Sequence, residues 1–327
     1  MQLEREITDL IEKQGSAGRQ FDLADALGVS RTAVWKQLNK LGELGVTVES
    51  VKGKGYRIPG GLDLLDERTV LASLQPEARA LLGELLILPE IDSTNAEIMR
   101  RIQQGARPGL ACTAEQQSAG RGRLGRTWVS PFARNIYLSL MWEFSQGASA
   151  LEGLSLAVGV AVTRALQRLA VHEVSLKWPN DILYRGDKLG GILLEMAGDA
   201  SGLCQVVIGV GLNVSMPDGA GQSIDQRWTD LERVTGGSPP ARSELLAALL
   251  DELLPLVAGF EGSGFAPWQQ AWMALDAFAG ESVVLHSGEH RQAGICRGVD
   301  ARGALRLETT VGEQLIYGGE ISLRRAD

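Results

Sequence analysis

Three glycines in the stretch AGRGRLGRTW (residues 119–128) have the G-x-G-x-x-G spacing of dinucleotide-binding loops. They are Gly120, Gly122 and Gly125, and the LACTAEQ segment before them alternates like a strand. The dinucleotide pattern also requires a helix that begins at the third glycine. Here the following TWVSPFARNIYLSLMW contains Pro131 and then alternates in strand fashion, so we predict that this loop does not bind a dinucleotide.

Three arginines, Arg121, Arg123 and Arg126, lie in the same loop. A dinucleotide loop binds phosphate through backbone N–H groups and a helix dipole, so it has no need of guanidinium groups. Glycine lets the backbone approach a ligand closely, and arginine binds phosphate or carboxylate through two parallel hydrogen bonds. We therefore predict a flexible anion-binding loop, with a solvated basic loop as the alternative.

Four other segments place polar side chains at predicted strand ends or beside glycines. IDSTNAE (91–97) is typical of a strand-to-helix junction, where helix capping would account for only one of its small polar residues. LKWPNDI (176–182) interrupts a strand at a proline, DKLGGILLE (187–195) puts a lysine beside a Gly-Gly pair, and VVIGVGLNV (206–214) is a buried strand with two glycines. The polar residues of these segments are Ser93, Thr94, Asn95, Lys177, Asn180, Asp181, Lys188 and Asn213.

The first sixty residues have the pattern of a winged helix-turn-helix. Apolar residues from Leu3 to Ile11 recur at helical spacing, and FDLADALGVSRTAVWKQLNKLGELGV is typical of two short helices around Gly28. Asp22 and Ser30 each stand where a helix cap is expected. VTVESVKGKGYRI then alternates like a hairpin with a Gly-Lys-Gly tip, which predicts a basic wing. A small helical domain that makes no DNA contact is the alternative.

Charge is distributed unevenly along the chain. The net charge is −8 over 327 residues, yet residues 31–57 contain six basic residues against two acidic ones. A local basic patch is compatible with DNA contact, in which the helix from Arg31 to Leu41 would enter the major groove and the wing lysines would touch the DNA backbone. The predicted DNA-binding residues are Ser30, Arg31, Thr32, Trp35, Lys36, Lys52 and Lys54.

The composition, with 44% hydrophobic and 22% charged residues, is that of an ordinary globular protein. No apolar run approaches the ~20 residues of a membrane span and the charged N-terminus is unlike a signal peptide, so we expect a cytoplasmic protein without a membrane partner. Cys112, Cys204 and Cys296 are odd in number and far apart, which argues against disulfides and a cysteine metal site. The chain has only three histidines, which argues against zinc hydrolysis and histidine triads.

In order along the chain, DSTN, GRGRLGR, KWPND, KLGGIL and GVGLN resemble the motifs of the biotin protein ligases, specifically the bifunctional kind that also represses the biotin operon. GRGRxGR followed by KWPND is highly specific to that family. The helix-turn-helix in front extends the resemblance, as does the strand-rich segment from Ala279 onward, whose glycine-centred turns are typical of a small barrel. Essentially the whole chain is covered.

The resemblance implies an α+β protein of three domains. A winged helix-turn-helix DNA-binding domain would occupy residues 1–62, and a biotin- and ATP-binding catalytic domain would occupy residues 63–274. The catalytic domain is expected to be a central mixed sheet with helices on one side, similar to class II aminoacyl-tRNA synthetases and lipoate ligases. An SH3-like small β-barrel would follow over residues 275–327.

The resemblance also implies two reactions. Biotin and ATP, which carries Mg²⁺, would form biotinyl-5′-adenylate and pyrophosphate. A lysine of the biotin carboxyl carrier protein of acetyl-CoA carboxylase would then take the biotinyl group. The first step brings a carboxylate against a polyphosphate, so cations should dominate the site. The implied catalytic residues are Lys188, Arg121 and Arg123; Asp181 is a candidate partner of magnesium or of an arginine, and no separate metal site is expected.

Two ligand-binding sets follow from the same resemblance. A second loop (217–228) is expected to become ordered only with ligand. Trp228, at its end, resembles a family residue that packs over the adenine; the alternative is that Trp228 anchors the following helix, TDLERVTG. Arg324 is expected at the surface; the alternative is that it reaches back to the nucleotide. The biotin set is Ser93, Thr94, Asn95, Gln117, Gly120, Arg121, Gly122, Arg123, Lys188 and Gly191. The nucleotide set is Arg123, Asn180, Asp181, Lys188, Asn213 and Trp228.

A single helix-turn-helix rarely gives operator affinity alone, so the DNA-bound form is expected to be a homodimer on paired half-sites. The candidate contact is GILLEMAG (191–198), which begins at the ligand residues and could pair edge to edge with its copy. The adenylate would favour this dimer, and unbiotinylated carrier protein would compete for the same edge.

Three other functions stay open from the sequence: a ligase without a regulatory role, a ligand-sensing repressor that transfers nothing, and a lipoate-type ligase on the same fold. The presence of Lys188, Arg121 and Arg123 disfavours the ligand-sensing repressor. The GRGR loop disfavours the lipoate ligase, although pocket shape decides that choice.

Overall fold

The computed structural model of the protein describes residues 28–51, 55–58, 61–147, 151–198, 202–217, 219–287, 290–318 and 321–325. The predicted first helix, the cap residue Asp22 and the wing lysines Lys52 and Lys54 lie outside these residues. Within the described ranges, no helix combines the length and the apolar character needed to cross a membrane.

The described part of the N-terminal domain has the predicted turn and helix and the two paired strands of the predicted wing. Gly28 has a φ of 65°, in the left-handed region that favours glycine, at the predicted turn. Ser30 then caps the next helix, because its hydroxyl accepts a hydrogen bond from the N–H of Ala33 at 3.2 Å. The elements are α1 (Arg31–Glu43) and the antiparallel strands β1 (Glu49–Val51) and β2 (Gly55–Arg57).

A seven-stranded mixed sheet forms the centre of the chain, which confirms the predicted architecture. Its strands are β3 (Glu84–Leu88), β4 (Leu110–Ala114), β5 (Ile136–Phe144), β6 (Val174–Lys177), β7 (Asp181–Tyr184), β8 (Asp187–Gly198) and β9 (Cys204–Leu212). The strand order is β3-β4-β5-β9-β8-β7-β6. The pair β3–β4 is parallel, and the other neighbouring pairs of this described sheet are antiparallel.

Helices cover both faces of this sheet, so the expectation of helices on one side was wrong. The helices are α2 (Glu67–Ser73), α3 (Pro76–Leu81), α4 (Thr94–Gln103), α5 (Leu154–Arg168), α6 (Leu231–Val234), α7 (Arg242–Ser263) and α8 (Ala266–Leu275). Leu140 and Ile208 belong to a core shared with α5 and α7, whereas Met141 and Val207 pack with Ile98 of α4. Since side chains alternate along a strand and neighbours in β5 and β9 are both apolar, each face needs a cover.

The C-terminal domain is a five-stranded antiparallel sheet in the order β13-β12-β11-β10-β14, which agrees with the predicted small β domain. Its buried residues, such as Val283 and Leu305, continue the core of the catalytic domain. The domain boundaries at 62/63 and 274/275 stay predictions. The strands are β10 (Ser282–Ser287), β11 (His290–Val299), β12 (Leu305–Thr309), β13 (Gly312–Ile316) and β14 (Ile321–Arg325).

A buried arginine joins the segment after the N-terminal domain to the catalytic sheet. Arg242 is 1% exposed and donates to Oε2 of Glu115 at 2.6 Å and to the backbone oxygens of Asp63 and Asn135. Glu115 also accepts a hydrogen bond from the N–H of Leu65 at 2.7 Å. Because Glu115 directly follows β4, this network ties the interdomain segment to the strand that leads into the glycine loop.

Candidate active site

A cavity of about 950 Å³ opens on the face of the sheet that carries α4. The glycine loop, strands β7 to β9, the end of the second loop and strand β14 all contribute to its wall. Arg324, expected at the surface, is exposed and also lines the cavity. The predicted ligand residues that line it are Ser93, Thr94, Asn95, Gln117, Arg121, Gly122, Arg123, Asn180, Asp181, Lys188, Gly191, Asn213 and Trp228.

The glycine loop folds back on itself as a narrow hairpin. The N–H of Gly122 donates to the backbone oxygen of Arg126 at 2.7 Å, and the N–H of Trp128 donates to that of Gly120 at 2.9 Å. Gly120 lies where the two arms of the hairpin approach each other, and a Cβ there would stand 2.5 Å from the carbonyl oxygen of Trp128. Gly120 therefore shapes the loop, and it does not line the cavity. The chain then enters strand β5 at Ile136, which confirms that the dinucleotide pattern is misleading here.

Two loop arginines lie against the cavity wall. Nη2 of Arg121 forms an ion pair with Oε2 of Glu195 at 3.0 Å, and Nη1 of Arg123 donates to Oδ1 of Asn180 at 2.9 Å. Nη2 of Arg123 also lies 3.4 Å from the backbone oxygen of Ile321 in β14. Burial lowers the pKa of the Arg123 guanidinium from its ordinary value.

Lys188 shares the carboxylate of Asp181 with a second lysine. Nζ of Lys188 lies 2.6 Å from Oδ1, and Nζ of Lys177 lies 2.7 Å from Oδ2. Burial opposes ionisation of Asp181, but the two lysines outweigh this effect and hold the pKa of the carboxyl below its ordinary value. Lys177, which the sequence resemblance left without a role, is therefore a second cation at the cavity wall.

The start of α4 places the DSTN motif at the cavity. Ser93 caps the helix, because its side chain accepts from the N–H of Ala96, so one polar residue of the motif is a cap as predicted. The N–H of Thr94 donates to Oε1 of Gln117 at 2.9 Å. Nε2 of Gln117 in turn donates to the hydroxyl of Ser130 at 3.1 Å. The DSTN motif before β4 and the segment that leads into the glycine loop after β4 therefore meet through neutral hydrogen bonds.

A second group of polar side chains continues this row across the sheet. Oγ of Ser139 lies 2.7 Å from Oγ1 of Thr94 and donates to Oδ1 of Asn95. Nδ2 of Asn95 then donates to Oε2 of Glu195 at 2.7 Å. A Cβ on Gly209 would lie 2.5 Å from Oδ1 of Asn95, so the glycine in β9 leaves room for this amide.

Trp128 forms a wall of the cavity that the sequence analysis did not assign. A Cβ on Gly211 would lie 2.6 Å from its indole ring and a Cβ on Gly191 would lie 3.5 Å from it, so these glycines let the ring lie on the sheet. The signal was available, because Trp128 directly follows the GRGRLGRT stretch. Ser139 and Glu195 were also missed, since each is one polar residue within a largely apolar strand.

The second loop ends beside Lys188. The N–H of Thr229 donates to the backbone oxygen of Lys188 at 2.9 Å, and the amide of Asn213 donates to the oxygen of Thr229 at 3.0 Å. The guanidinium of Arg233, in α6, lies 4.3 Å from the centre of the Trp228 ring. This contact supports the anchoring role of Trp228, although the ring also lines the cavity. Ordering of this loop by ligand stays a prediction.

The described residues do not form a cage for a magnesium ion. Both oxygens of Asp181, the candidate magnesium partner, already accept a lysine. Magnesium usually keeps several waters and binds through one or two carboxylates together with substrate phosphates. The residues present therefore fit a magnesium ion that arrives on the ATP phosphates better than one held by the protein alone.

Helix α1 exposes side chains that were predicted to bind DNA. Ser30, Thr32 and Lys36 are exposed, and Trp35 is 59% exposed, while Val34 beside them is buried in the domain core. The side chain of Arg31 and both wing lysines lie outside the described residues.

Comparisons with known proteins divide the chain in the same way. Residues 7–57 match the HTH domain, residues 88–213 match the biotin/lipoate A/B protein ligase family, and residues 278–324 match the biotin protein ligase C terminal domain.

Individual relatives cover between 72% and 93% of the chain. The bifunctional ligase/repressor BirA of Escherichia coli K12 is 40% identical over 93% of this chain and 92% of its own length. The biotin–[acetyl-CoA-carboxylase] ligase of Paracoccus denitrificans is 35% identical over 72% of this chain and 98% of its own. The solved biotin protein ligase from Aquifex aeolicus in complex with biotin and ATP superimposes with a TM-score of 0.64 and 31% identity, over 75% of this chain and all of that one. The chain therefore belongs to the family of bifunctional biotin ligases and transcriptional repressors.

Proposed function

We propose that the chain is an ATP-dependent ligase that forms biotinyl-5′-adenylate and transfers biotin to a lysine of the carrier protein of acetyl-CoA carboxylase. The observation that carries the proposal is the convergence of Lys188, Arg121 and Arg123 on one cavity. Adenylation brings a carboxylate against a polyphosphate, and prearranged cations reduce the repulsion between them. The named activity of the relatives agrees with this chemistry.

The proposed biotin side of the cavity combines neutral hydrogen-bonding groups with an apolar wall. Ser93, Thr94 and Gln117 offer the hydroxyl and amide groups that a ureido ring needs. Trp128 offers a flat apolar surface for the sulfur-containing ring and the aliphatic chain. Such a pocket, mostly apolar with a few fixed polar groups, is typical of small-molecule sites. The ligand carboxylate would then lie near Arg121.

The proposed nucleotide side carries the charges and the second loop. Arg123 and Lys188 bind the α-phosphate, Asn180 and Asn213 support the adenylate, and Trp228 packs over the adenine. Magnesium supplies further charge neutralisation on the ATP phosphates.

The reaction needs no nucleophile from the protein. One carboxylate oxygen of biotin attacks the α-phosphorus, and pyrophosphate leaves with the electron pair of the broken P–O bond. In the second step the neutral amine of the carrier lysine attacks the acyl carbon, AMP leaves with the electron pair of the broken acyl C–O bond, and the new amide nitrogen loses one proton to the departing phosphate or to water. The protein contributes positioning and charge neutralisation.

Intact-mass measurement of a carrier domain tests this function. The protein is incubated with ATP, Mg²⁺ and either biotin or lipoate, together with a biotin-carrier domain or a lipoyl domain. We expect one biotinyl addition on the biotin-carrier domain, and no addition when its target lysine is replaced by arginine. Modification of the lipoyl domain alone would identify a lipoate ligase instead.

We also propose that the adenylate-bound protein represses transcription as a homodimer on operator DNA. Exposed Trp35 and Lys36 on α1 fit a recognition helix. The backbone N–H and C=O of Ile192 both bond to Asn180, on the β7 side of β8. Because backbone groups alternate in direction along a strand, the N–H and C=O of Leu194 and Met196 point to that same side, beyond the last residue paired with β7. Among the described residues, β8 has no partner on this side from Leu193 to Gly198, which supports that part of the contact predicted over residues 191–198; Gly191 and Ile192 are already bonded to residues 180 and 181.

Binding to operator fragments tests the regulatory half. Affinity should rise when biotin and ATP are both present, fall steeply with salt, and disappear when unbiotinylated carrier is added. Binding that ignores biotin and ATP would leave a ligase without this regulation. Because carrier protein and chromosome both lie in the bacterial cytoplasm, we place the protein there.

A further inference from the structure

Glu195 is a charged side chain that contacts two cavity-lining residues, Asn95 and Arg121, and the reaction described above has no use for it. It lies in β8 on the same face of the sheet as Gly191 and Leu193, which line the cavity, because residues two apart share a face. Its Oε2 accepts a hydrogen bond from Asn95 and an ion pair from Arg121. One carboxylate oxygen thus connects the glycine loop to the row of hydrogen-bonded side chains formed by Thr94, Asn95 and Ser139, here called the pocket floor.

The contact with Asn95 fixes the direction of hydrogen bonds along the floor. Asn95 is 4% exposed, and a carboxylate can only accept, so the NH₂ group must face Glu195. The oxygen Oδ1 must then face Ser139, which donates to it. The hydroxyl of Ser139 lies 2.7 Å from that of Thr94, at the predicted ureido site. The negative charge at one end therefore orients polar groups that the ligand meets at the other.

The contact with Arg121 has a different consequence. Arg121 is the loop arginine proposed to bind the carboxylate of biotin, and its Nη2 forms an ion pair with Oε2 of Glu195 at 3.0 Å. A carboxylate that binds Nη2 of Arg121 would displace Glu195 from that nitrogen. A ligand that lacks a carboxylate does not enter this competition.

We infer that Glu195 is a positioning residue with two effects: it orients Asn95 in the pocket floor, and it holds Arg121 at the cavity wall until the ligand carboxylate replaces it. The inference rests on the proposed function, because it assigns biotin to this cavity. Since Glu195 belongs to the strand proposed to form the dimer, the exchange also reports ligand binding to that strand.

Calorimetric titration with biotin and with biotinol, the alcohol that lacks the carboxylate, separates the two effects without any turnover. In Glu195→Gln the amide oxygen can still accept from Asn95, but the charge that competes for Arg121 is gone. We expect the Kd for biotin to fall about 2- to 5-fold, the value of a partly exposed ion pair, and the Kd for biotinol to stay unchanged. The gain should shrink as salt is raised.

Two further variants give matched comparisons. Ser139→Ala removes the hydroxyl that orients Asn95 without touching a charge, so both ligands should bind more weakly by the same factor. Glu173→Gln removes a glutamate that pairs with Arg185 at 2.6 Å on the exposed surface, and it should change neither affinity. Equal shifts for biotin and biotinol in Glu195→Gln, or weaker biotin binding, would overturn the inference.

A second readout uses the unmodified protein and so remains valid if a variant does not fold. The ¹⁵N signals of the Arg121 guanidinium should shift when biotin is added and stay in place when biotinol is added. Identical spectra with the two ligands would contradict the exchange. If wild-type protein binds neither ligand, the proposed function itself fails, which is a distinct result.

Discussion

Lys188 and Asp181 form an ion pair inside the ligand cavity, with 2.6 Å between Nζ and Oδ1. Lys177 binds the other oxygen of the same carboxylate at 2.7 Å. Lys188 is thus already in place at the site where ATP phosphates are proposed to bind. If Lys188 turns toward a ligand, Lys177 still neutralises Asp181. Removal of the Lys188 side chain therefore does not leave the Asp181 carboxylate without a positively charged partner.

Lys188→Ala should therefore leave the protein folded, because Asp181 retains Lys177 as a partner. It should slow adenylate formation by about 10²- to 10³-fold, the usual cost of removing one group that stabilises charge in a transition state. Pyrophosphate release with biotin and ATP measures this rate, and Arg185→Ala on the surface is the control. Release close to the wild-type rate would remove Lys188 from the mechanism.

Arg123→Gly should let the adenylate escape from the cavity. The glycine loop has little apolar content, so charge-assisted hydrogen bonds must hold it closed, at about 1.5–3 kcal/mol each. Dissociation of labelled adenylate should become roughly 10- to 150-fold faster by the same energies. Arg126→Gly, in the same loop but with an exposed side chain, should have a smaller effect. Equal retention by the parent and Arg123→Gly would give the loop another role.

The glycine loop also shows how far the sequence could predict the site. The proline and the strand-like alternation after Gly125 ruled out a dinucleotide loop, and the structure agrees. The order of the motifs predicted that Ser93, Lys188 and Asn213, which are far apart in sequence, share one site, and all three line the same cavity. Glu195 could not be found in this way, because its role depends on the register of β8 against β9 and on a partner 74 positions away.

The fold has the same limit. The alternating patterns located the strands, but nothing local shows on which face of the sheet a helix packs. The expectation of helices on one side failed because α4 buries Ile98 against Met141 and Val207 on the second face. Similarly, the pairing of Arg242 with Glu115 joins residues 127 positions apart, and neither residue belongs to a recognisable motif.

Arg242→Met should destabilise the protein by about 3–5 kcal/mol, because it leaves the buried carboxylate of Glu115 without its guanidinium partner. Chemical denaturation measures the loss. The double variant Arg242→Met with Glu115→Gln should recover part of it, since the unpaired charge is then removed as well. A loss as small as that of Arg185→Ala would show that the buried pair is not important for folding.

Met196→Lys should weaken the adenylate-dependent dimer. Met196 is 54% exposed in the part of β8 that has no partner strand on one side among the described residues, and two lysines brought together at a strand edge disfavour pairing. Sedimentation with biotin and ATP should show a wild-type shift toward dimer, by about 1–3 kcal/mol of coupling, that the variant lacks. Val311→Lys, on the C-terminal domain, is the control. An unaffected dimer would place the interface elsewhere.

The three cysteines should resist alkylation in the native protein. Burial raises the pKa of Cys112 and of Cys296 to about 12, and it also raises the pKa of Cys204. Unfolded thiols ionise near pH ~8.5, so the native state loses stability relative to the unfolded state as pH rises above that value. The loss between pH 8 and pH 10 should be smaller in Cys112→Ala than in wild type. An identical loss, or rapid native alkylation at pH 8, would contradict the burial.

The most direct test of the central claim separates the two reactions in time. Protein is incubated with labelled biotin, ATP and Mg²⁺, free ligands are removed by rapid desalting, and carrier domain is added without ATP. The proposed mechanism predicts that up to one labelled biotinyl group per chain moves to the carrier lysine, and that Lys188→Ala transfers none. Transfer that requires fresh ATP, or label that never stays with the protein, would contradict a chain that makes biotinyl-adenylate and holds it in this cavity.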